Sequence, residues 1–294
     1  MDFNSDNVAG IAPEVMAAII EANRGAATPY GGDAWSARAE ARLAEVFECE
    51  LEAFLVSTGT AANGLALAAM APSHTTIHCH VNAHIATSEN GAPEFYTGGA
   101  KLITLEGAGG KLAAKDLAAH LEATQSAPNY IPRAAVSVTQ VTEAGTLYQA
   151  DEIAAMGAVA RAHGLKLHMD GARFANAVAA LDCMPADITW RAGVDVLSFG
   201  ASKNGTLNAE AVIFFDAGLA RDFRFRQKQG GHVLSKTRFL GAQMEAYLAD
   251  GRWLAHATHA NAMARRLGEG LGSVPGIQFR FPVEANILFV QLPA

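Results

Sequence analysis

Two short runs in this 294-residue sequence supply an acid and an amine that could share one piece of chemistry. The first, His168-Met169-Asp170-Gly171-Ala172-Arg173, follows the apolar run Leu165 to Leu167, and the second closes on Gly200-Ala201-Ser202-Lys203. Each reads as a strand running into a loop. In an open α/β sheet ligands bind beyond the strand ends, so Asp170 and Lys203 can face each other across a crevice. A neutral lysine amine in such a place attacks an aldehyde to form a Schiff base. A carboxylate opposite it suits the ring nitrogen of pyridoxal phosphate, which it keeps protonated so that the ring draws electrons. The same two residue types also make ordinary salt bridges and helix caps, so the reading depends on what else the chain places nearby.

A third run speaks to that. Glu52 to Val56 is a short apolar strand that leads through Ser57-Thr58-Gly59-Thr60-Ala61-Ala62-Asn63 into an Ala/Leu helix. Unpaired N–H groups and the helix dipole stabilise a phosphate at such a helix start, although the same pattern caps ordinary helices. His84, if it leaves a strand end beside Gly59-Thr60, could stack on a cofactor ring or move a proton near neutral pH; a surface loop histidine is the plainer account. Glu89 reads rather as a helix-capping carboxylate than as a relay partner. Arg173 could hold a carboxylate or a ring oxygen, or lie on a solvated helix face. The basic group Arg221, Arg224, Arg226 and Lys228 reads as a solvated face before it reads as a second phosphate grip. His74, His78, His80 and His84, with Cys79 among them, lack a thiol pair or carboxylate at zinc spacing, so no metal is expected.

These residues need a frame. Pro13 opens a helix that Gly25 ends, and residues 36–49 carry Leu43, Val46 and Phe47 on one helical face. Apolar runs at 75–80, 101–105, 134–139, 165–169, 194–199 and 211–215 read as strands, the last of either direction. Helical stretches fall between them at 113–121, from an N-cap at Asp151 through His163, and at 174–181. The alternation implies an α/β fold: a mostly parallel sheet sandwiched by helices. Beyond Arg221 come helices through Tyr247 and over 254–271, then two strands at 277–281 and 286–292. The expected division is an N-terminal arm and helix over 1–25, a large cofactor-binding domain over 26–235, and a smaller α/β domain over 236–294 that reads as incomplete.

Composition narrows the function classes. Half the residues are hydrophobic and 17% are charged, which describes a globular chain with a sizeable core. A net charge of -7 argues against nucleic acid and anionic membrane surfaces as partners. No apolar run approaches the ~18 residues of a membrane span, and the start of the chain carries no signal-peptide pattern. Cys49, Cys79 and Cys183 stand far apart and suggest no disulfide framework, which fits a reducing cytoplasm.

Taken in order, Ser5-Asp6, Tyr30-Gly31 with Asp33, Thr58 to Asn63, His84 with Glu89, His168 to Arg173, and Ser202-Lys203 resemble the low-specificity L-threonine aldolases over nearly the whole chain. These are pyridoxal-phosphate enzymes of the aspartate-aminotransferase fold, fold type I. The resemblance implies that Lys203 carries the cofactor as a Schiff base, Asp170 pairs with its ring nitrogen, His84 stacks on the ring, and Gly59 and Thr60 hold the phosphate. It implies that Ser5, Tyr30 and Arg173 serve the substrate, with Arg173 also near a cofactor oxygen, and that Tyr30 and Arg226 to Lys228 reach a neighbouring subunit in a homo-oligomer, a dimer or tetramer. The implied reaction is cleavage of a β-hydroxy-α-amino acid of the L-threonine or L-allo-threonine type to glycine and an aldehyde, with His84, directly or through water, as one candidate base. A β-eliminating lyase or transaminase on the same fold is the alternative, as is a shortened, impaired form, because relatives usually continue past the strand near Leu292 with a carboxylate-clamping arginine. The loop Asn204 to Asn208 also departs from many relatives.

Overall fold

Short apolar runs bounded by glycine and polar turns build one seven-stranded sheet, seen in a computed structural model that describes residues 3–125 and 131–293. The first two residues of the arm, Met1 and Asp2, lie outside the described residues, as do 126–130 and Ala294. The strands are β1 (Glu52–Val56), β2 (Thr76–His80), β3 (Lys101–Leu105), β4 (Arg133–Thr139), β5 (Lys166–Gly171), β6 (Val196–Phe199) and β7 (Glu210–Phe214). Their order is β1-β7-β6-β5-β4-β2-β3. Neighbours from β6 to β3 pair in parallel, whereas β7 is antiparallel to both β1 and β6.

The helices cover both faces. They are α1 (Pro13–Ala22), α2 (Ala34–Phe47), α3 (Gly59–Met70), α4 (His84–Thr87), α5 (Ala92–Thr97), α6 (Ala114–Gln125), α7 (Ala150–Ala162), α8 (Phe174–Leu181), α9 (Ala217–Ala220), α10 (Phe223–Gln229), α11 (Arg238–Leu248) and α12 (Arg252–Gly272). Strand side chains alternate between two cores, as a period of two requires. Along β7, Ala211 and Ile213 join Leu43 and Phe47 of α2, Met156 of α7 and Phe174 of α8 in one core. Val212 and Phe214 point the other way, to Leu65 of α3 and Phe223 of α10. Phe47 anchors the first core, its ring against Phe174, Phe199 and Phe215. Helix α11 packs against α1 and α2 and sends Leu240, Met244 and Tyr247 into that same core, while α12 lies on α8. The chain ends in a two-stranded antiparallel pair, β8 (Gln278–Phe279) and β9 (Val290–Gln291), shorter than the two strands expected there.

One cap differs from expectation. Asp151 lies inside α7, whose N-cap is Gln149; the Gln149 N–H donates to Oε2 of Glu152, an acid placed three residues on so that it reaches back.

Two glycines let the loops after β5 and β6 touch. A Cβ on Gly200 would stand 2.6 Å from Ala172 Cα, and one on Gly171 would stand 2.8 Å from the Ser198 carbonyl oxygen. Only glycine at both places lets the segments bearing Asp170 and Lys203 run side by side.

Behind Asp170, fully buried His168 lies between Ser137 Oγ and Ser198 Oγ, both at 2.9 Å. Burial holds its pKa down at about 4. The unfolded chain therefore takes up a proton near pH 6.5 that the folded chain refuses until about 4, so stability is full above the higher value and falls as pH drops between the two, by roughly 3 kcal/mol for this group. His78, buried beside His120, is lowered to about 4 by burial and adds to the same slope. Urea midpoints measured across this range should fall steadily with acid, and His168→Asn should flatten the fall. A midpoint independent of pH in the wild-type protein would contradict this.

Candidate active site

The parallel strands all deliver their C-terminal ends to one edge, and a cavity of about 380 Å³ opens there. Its wall collects Thr58, Gly59 and Thr60 from beyond β1, His84 from beyond β2, Glu143 from beyond β4, Asp170 from the end of β5, and Ser202 and Lys203 from beyond β6. Glu210, at the start of antiparallel β7, joins them. A hollow of similar size, about 400 Å³, lies at the opposite sheet edge around Lys166, Asp195 and Asp216, whose charges pair with one another. It holds none of the candidate residues and is a surface recess.

Helix α3 begins at Gly59 because Thr58, in extended conformation, caps it by accepting the Ala61 N–H at 3.1 Å. The N–H groups of Gly59 and Thr60 have no intrahelical partner by their position in the first turn, and they border the cavity. A Cβ at Gly59 would meet nothing within 4 Å, so the approach to them is open.

Asp170 is buried, 3% exposed, and accepts hydrogen bonds from Asn63 Nδ2 at 2.8 Å and from the Ala172 N–H at 3.0 Å. It has no ion pair among the described residues, so its charge faces the cavity uncompensated. Asn63 also donates to Glu89 Oε1 at 2.8 Å, and Glu89 Oε1 in turn accepts from His84 Nδ1 at 2.8 Å. One amide thus spans the acid of β5 and the carboxylate that orients His84. The Glu89 bond raises the pKa of His84, while burial raises that of Glu89 more than its bonds from His84 and Asn63 lower it. Asn63 Oδ1 and Glu89 Oε2 are buried without a partner.

Lys203 sits in a single helical turn, Ser202–Asn204, and makes no ion pair among the described residues. Its neighbour Asn204 is fastened to the Tyr247 hydroxyl and the Trp253 carbonyl, and Glu210 Oε2 accepts the Ala201 N–H. The turn is therefore fixed on both sides, with the lysine amine as its free end.

Three expected substrate residues stand elsewhere. Ser5 caps the arm's turn at Asp6–Val8 by accepting the Asn7 N–H; Asn7, its neighbour, reaches the cavity wall instead. The Arg173 guanidinium is held by two bonds to Asp6, 2.7 and 3.0 Å, and does not line the cavity, because the arm's acid has taken it. Tyr30 borders a separate recess with Arg224, 47% exposed, its ring beneath Lys228. Arg226 lines a further hollow with Tyr96. The residues that sequence reasoning passed over are Asn63, Glu143, Asn7 and Glu210. Asn63 could have been suspected as the one polar residue in an otherwise Ala/Leu run, and Glu143 as an acid just past a buried strand.

The cavity fits pyridoxal phosphate on its own terms. It offers a helix start for the phosphate, an uncompensated buried carboxylate for a protonated ring nitrogen, and a free lysine for the aldehyde. Comparison with known proteins points the same way. The family model described as beta-eliminating lyase matches residues 2–293. The low specificity L-threonine aldolase of Pseudomonas sp. (strain NCIMB 10558) is 46% identical over 99% of this chain and 84% of its own length, and that of Pseudomonas aeruginosa is 48% identical over the same shares. The solved structure of Leishmania major threonine aldolase superposes with a TM-score of 0.92 at 30% identity, covering 98% of this chain and 83% of that one. With these strand-end residues gathered in one cavity and relatives this close along its length, the chain belongs to the beta-eliminating lyase family of pyridoxal-phosphate enzymes, among the low-specificity L-threonine aldolases.

Proposed function

We propose that this chain cleaves the Cα–Cβ bond of a β-hydroxy-α-amino acid of the L-threonine or L-allo-threonine type, giving glycine and an aldehyde. The observation that carries the reading is the convergence of Lys203, buried Asp170 and the start of α3 on one cavity. Lys203 would hold the cofactor through its amine, Asp170 its ring nitrogen, and the Gly59 and Thr60 N–H groups its phosphate. When bound, pyridoxal phosphate supplies the electrophilic carbon and the electron sink. His84, fixed by Glu89, supplies the face of the ring site, and Asn63 holds Glu89 and Asp170 in register. With the cofactor bound, Asp170 would secure positive charge on its ring nitrogen and so favour release of the Cα–Cβ electron pair, a contribution made in the transition state.

Purified protein supplied with the cofactor and L-threonine should release acetaldehyde, detectable through a coupled alcohol dehydrogenase, and should do so with L-allo-threonine as well. Ammonia and a keto acid in place of the aldehyde would instead assign a β-eliminating reaction. We further propose that the chain works as a homo-oligomer, since Phe3, Phe95 and Phe225 stand 70%, 79% and 75% exposed. The three free cysteines support a reducing, cytoplasmic setting. No helix among the described residues is long and apolar enough to cross a membrane.

A further inference from the structure

Four carboxylates border the cavity, and three are committed. Asp170 is bonded to Asn63 and Ala172, Glu89 to Asn63 and His84, and Glu210 to the Ala201 N–H. Glu143 is the fourth, and it makes no hydrogen bond or ion pair among the described residues.

The loop that carries it is otherwise tightly tied. The Gln140 N–H donates to the Asp170 carbonyl, and the Gln140 side chain bonds both the N–H and the carbonyl of Tyr148. Thr142 and Thr146 bond each other and the Gly109 carbonyl. From the far end of the chain, Glu284 accepts the Leu147 N–H at 2.6 Å, and Ile287 lies against Gly145. A free carboxylate on a loop so fixed is what a reacting group needs: a set position and no competing partner.

Building on the aldolase reading, we propose that Glu143, not His84, is the base that takes the β-hydroxyl proton of the substrate. The hydroxyl proton passes to the Glu143 carboxylate as the Cβ–O bond becomes a carbonyl. The Cα–Cβ pair is left at Cα, and the aldehyde departs. Cα then takes up a proton to give glycine, and Glu143 returns its own to solvent, so the cycle closes without net proton change. His84 serves poorly in that part: its Glu89 partner favours the protonated imidazolium, a donor. Glu143 faces Asp170 on β5, His84 on α4, Arg173 ahead of α8, and Lys203. Burial and the Asp170 charge raise its pKa, and the three cationic groups oppose that rise. A carboxylate whose pKa is raised is, in its ionised form, a stronger base than an ordinary one.

The test compares Glu143→Gln with wild type in the full-length holoenzyme. The substitution breaks no bond in the fold, so it should bind pyridoxal phosphate with the same yellow colour. Exchange of the glycine α-proton with deuterated solvent needs no hydroxyl base and should continue within a few-fold. Cleavage of L-threonine should fall on the order of 10²-fold or more in kcat with KM little changed. The wild-type kcat/KM should rise with pH through a midpoint above the ordinary glutamate range, and that acid limb should vanish in the variant. In the cofactor-free protein, carbon-13 spectra of labelled glutamate should show several high-titrating carboxyls, Glu89 and Glu210 among them, and the variant should lack one of these signals. Cleavage at the wild-type rate, or loss of cleavage and glycine exchange together, would overturn the assignment. Wild-type protein that gives ammonia and a keto acid would instead remove the aldolase reading itself.

Discussion

Lys203→Ala is expected to leave the protein folded and colourless when pyridoxal phosphate is added, and to lower cleavage on the order of 10⁴-fold or more. The fold should survive because Lys203 makes no ion pair among the described residues, while the turn around it is fastened through Asn204 and through the Ala201 bond to Glu210. Removing the amine takes away the covalent hold on the cofactor and nothing that supports the sheet. Absorbance spectra, circular dichroism and an aldehyde assay on the same preparation check this. Undiminished colour together with undiminished cleavage would show that another amine does the work.

Asp170→Asn should be the next most damaging change, lowering cleavage about 10²- to 10³-fold. The amide occupies the same space and can still accept from the Ala172 N–H, so the geometry is largely kept. What it loses is the charge that secures a proton on the ring nitrogen. It also turns an N–H₂ toward Asn63, which is itself a donor there, so the strand-end network loses its match. Cofactor affinity should weaken at the same time. A variant with wild-type kcat would mean that the buried carboxylate plays no part in electron withdrawal.

The features legible in the sequence were those set by local pattern. The phosphate-type helix start at Gly59-Thr60 follows from a strand, a threonine cap and an Ala/Leu run that are contiguous, and it folds as such. Helix α8 runs from Phe174 to Leu181 as the apolar spacing indicates. Asp170 and Lys203 could be placed at strand ends because their apolar runs are short and end in glycine or polar residues. What the sequence hid depends on distant partners. Arg173 looked free to grip an anion until Asp6, from the other end of the chain, took its guanidinium. Glu89 read as a cap, since nothing local announces that α3 will bring Asn63 against it. Glu143 stands out only through the fold, which ties up the other carboxylates of the cavity and leaves it without a bond among the described residues. The final strands are shorter than the apolar runs suggest because β8 and β9 pair over just two residues each, a length too short for periodicity to define.

The most direct test of the central claim is carbon–carbon bond formation in reverse. An enzyme that breaks the Cα–Cβ bond must also make it, whereas a transaminase or β-eliminating lyase has no route to do so from glycine. Protein and pyridoxal phosphate incubated with carbon-13-labelled glycine and excess acetaldehyde should yield labelled threonine or allo-threonine, and Lys203→Ala should yield none. Label recovered only in glycine or glyoxylate, from wild-type protein that binds the cofactor, would contradict the account.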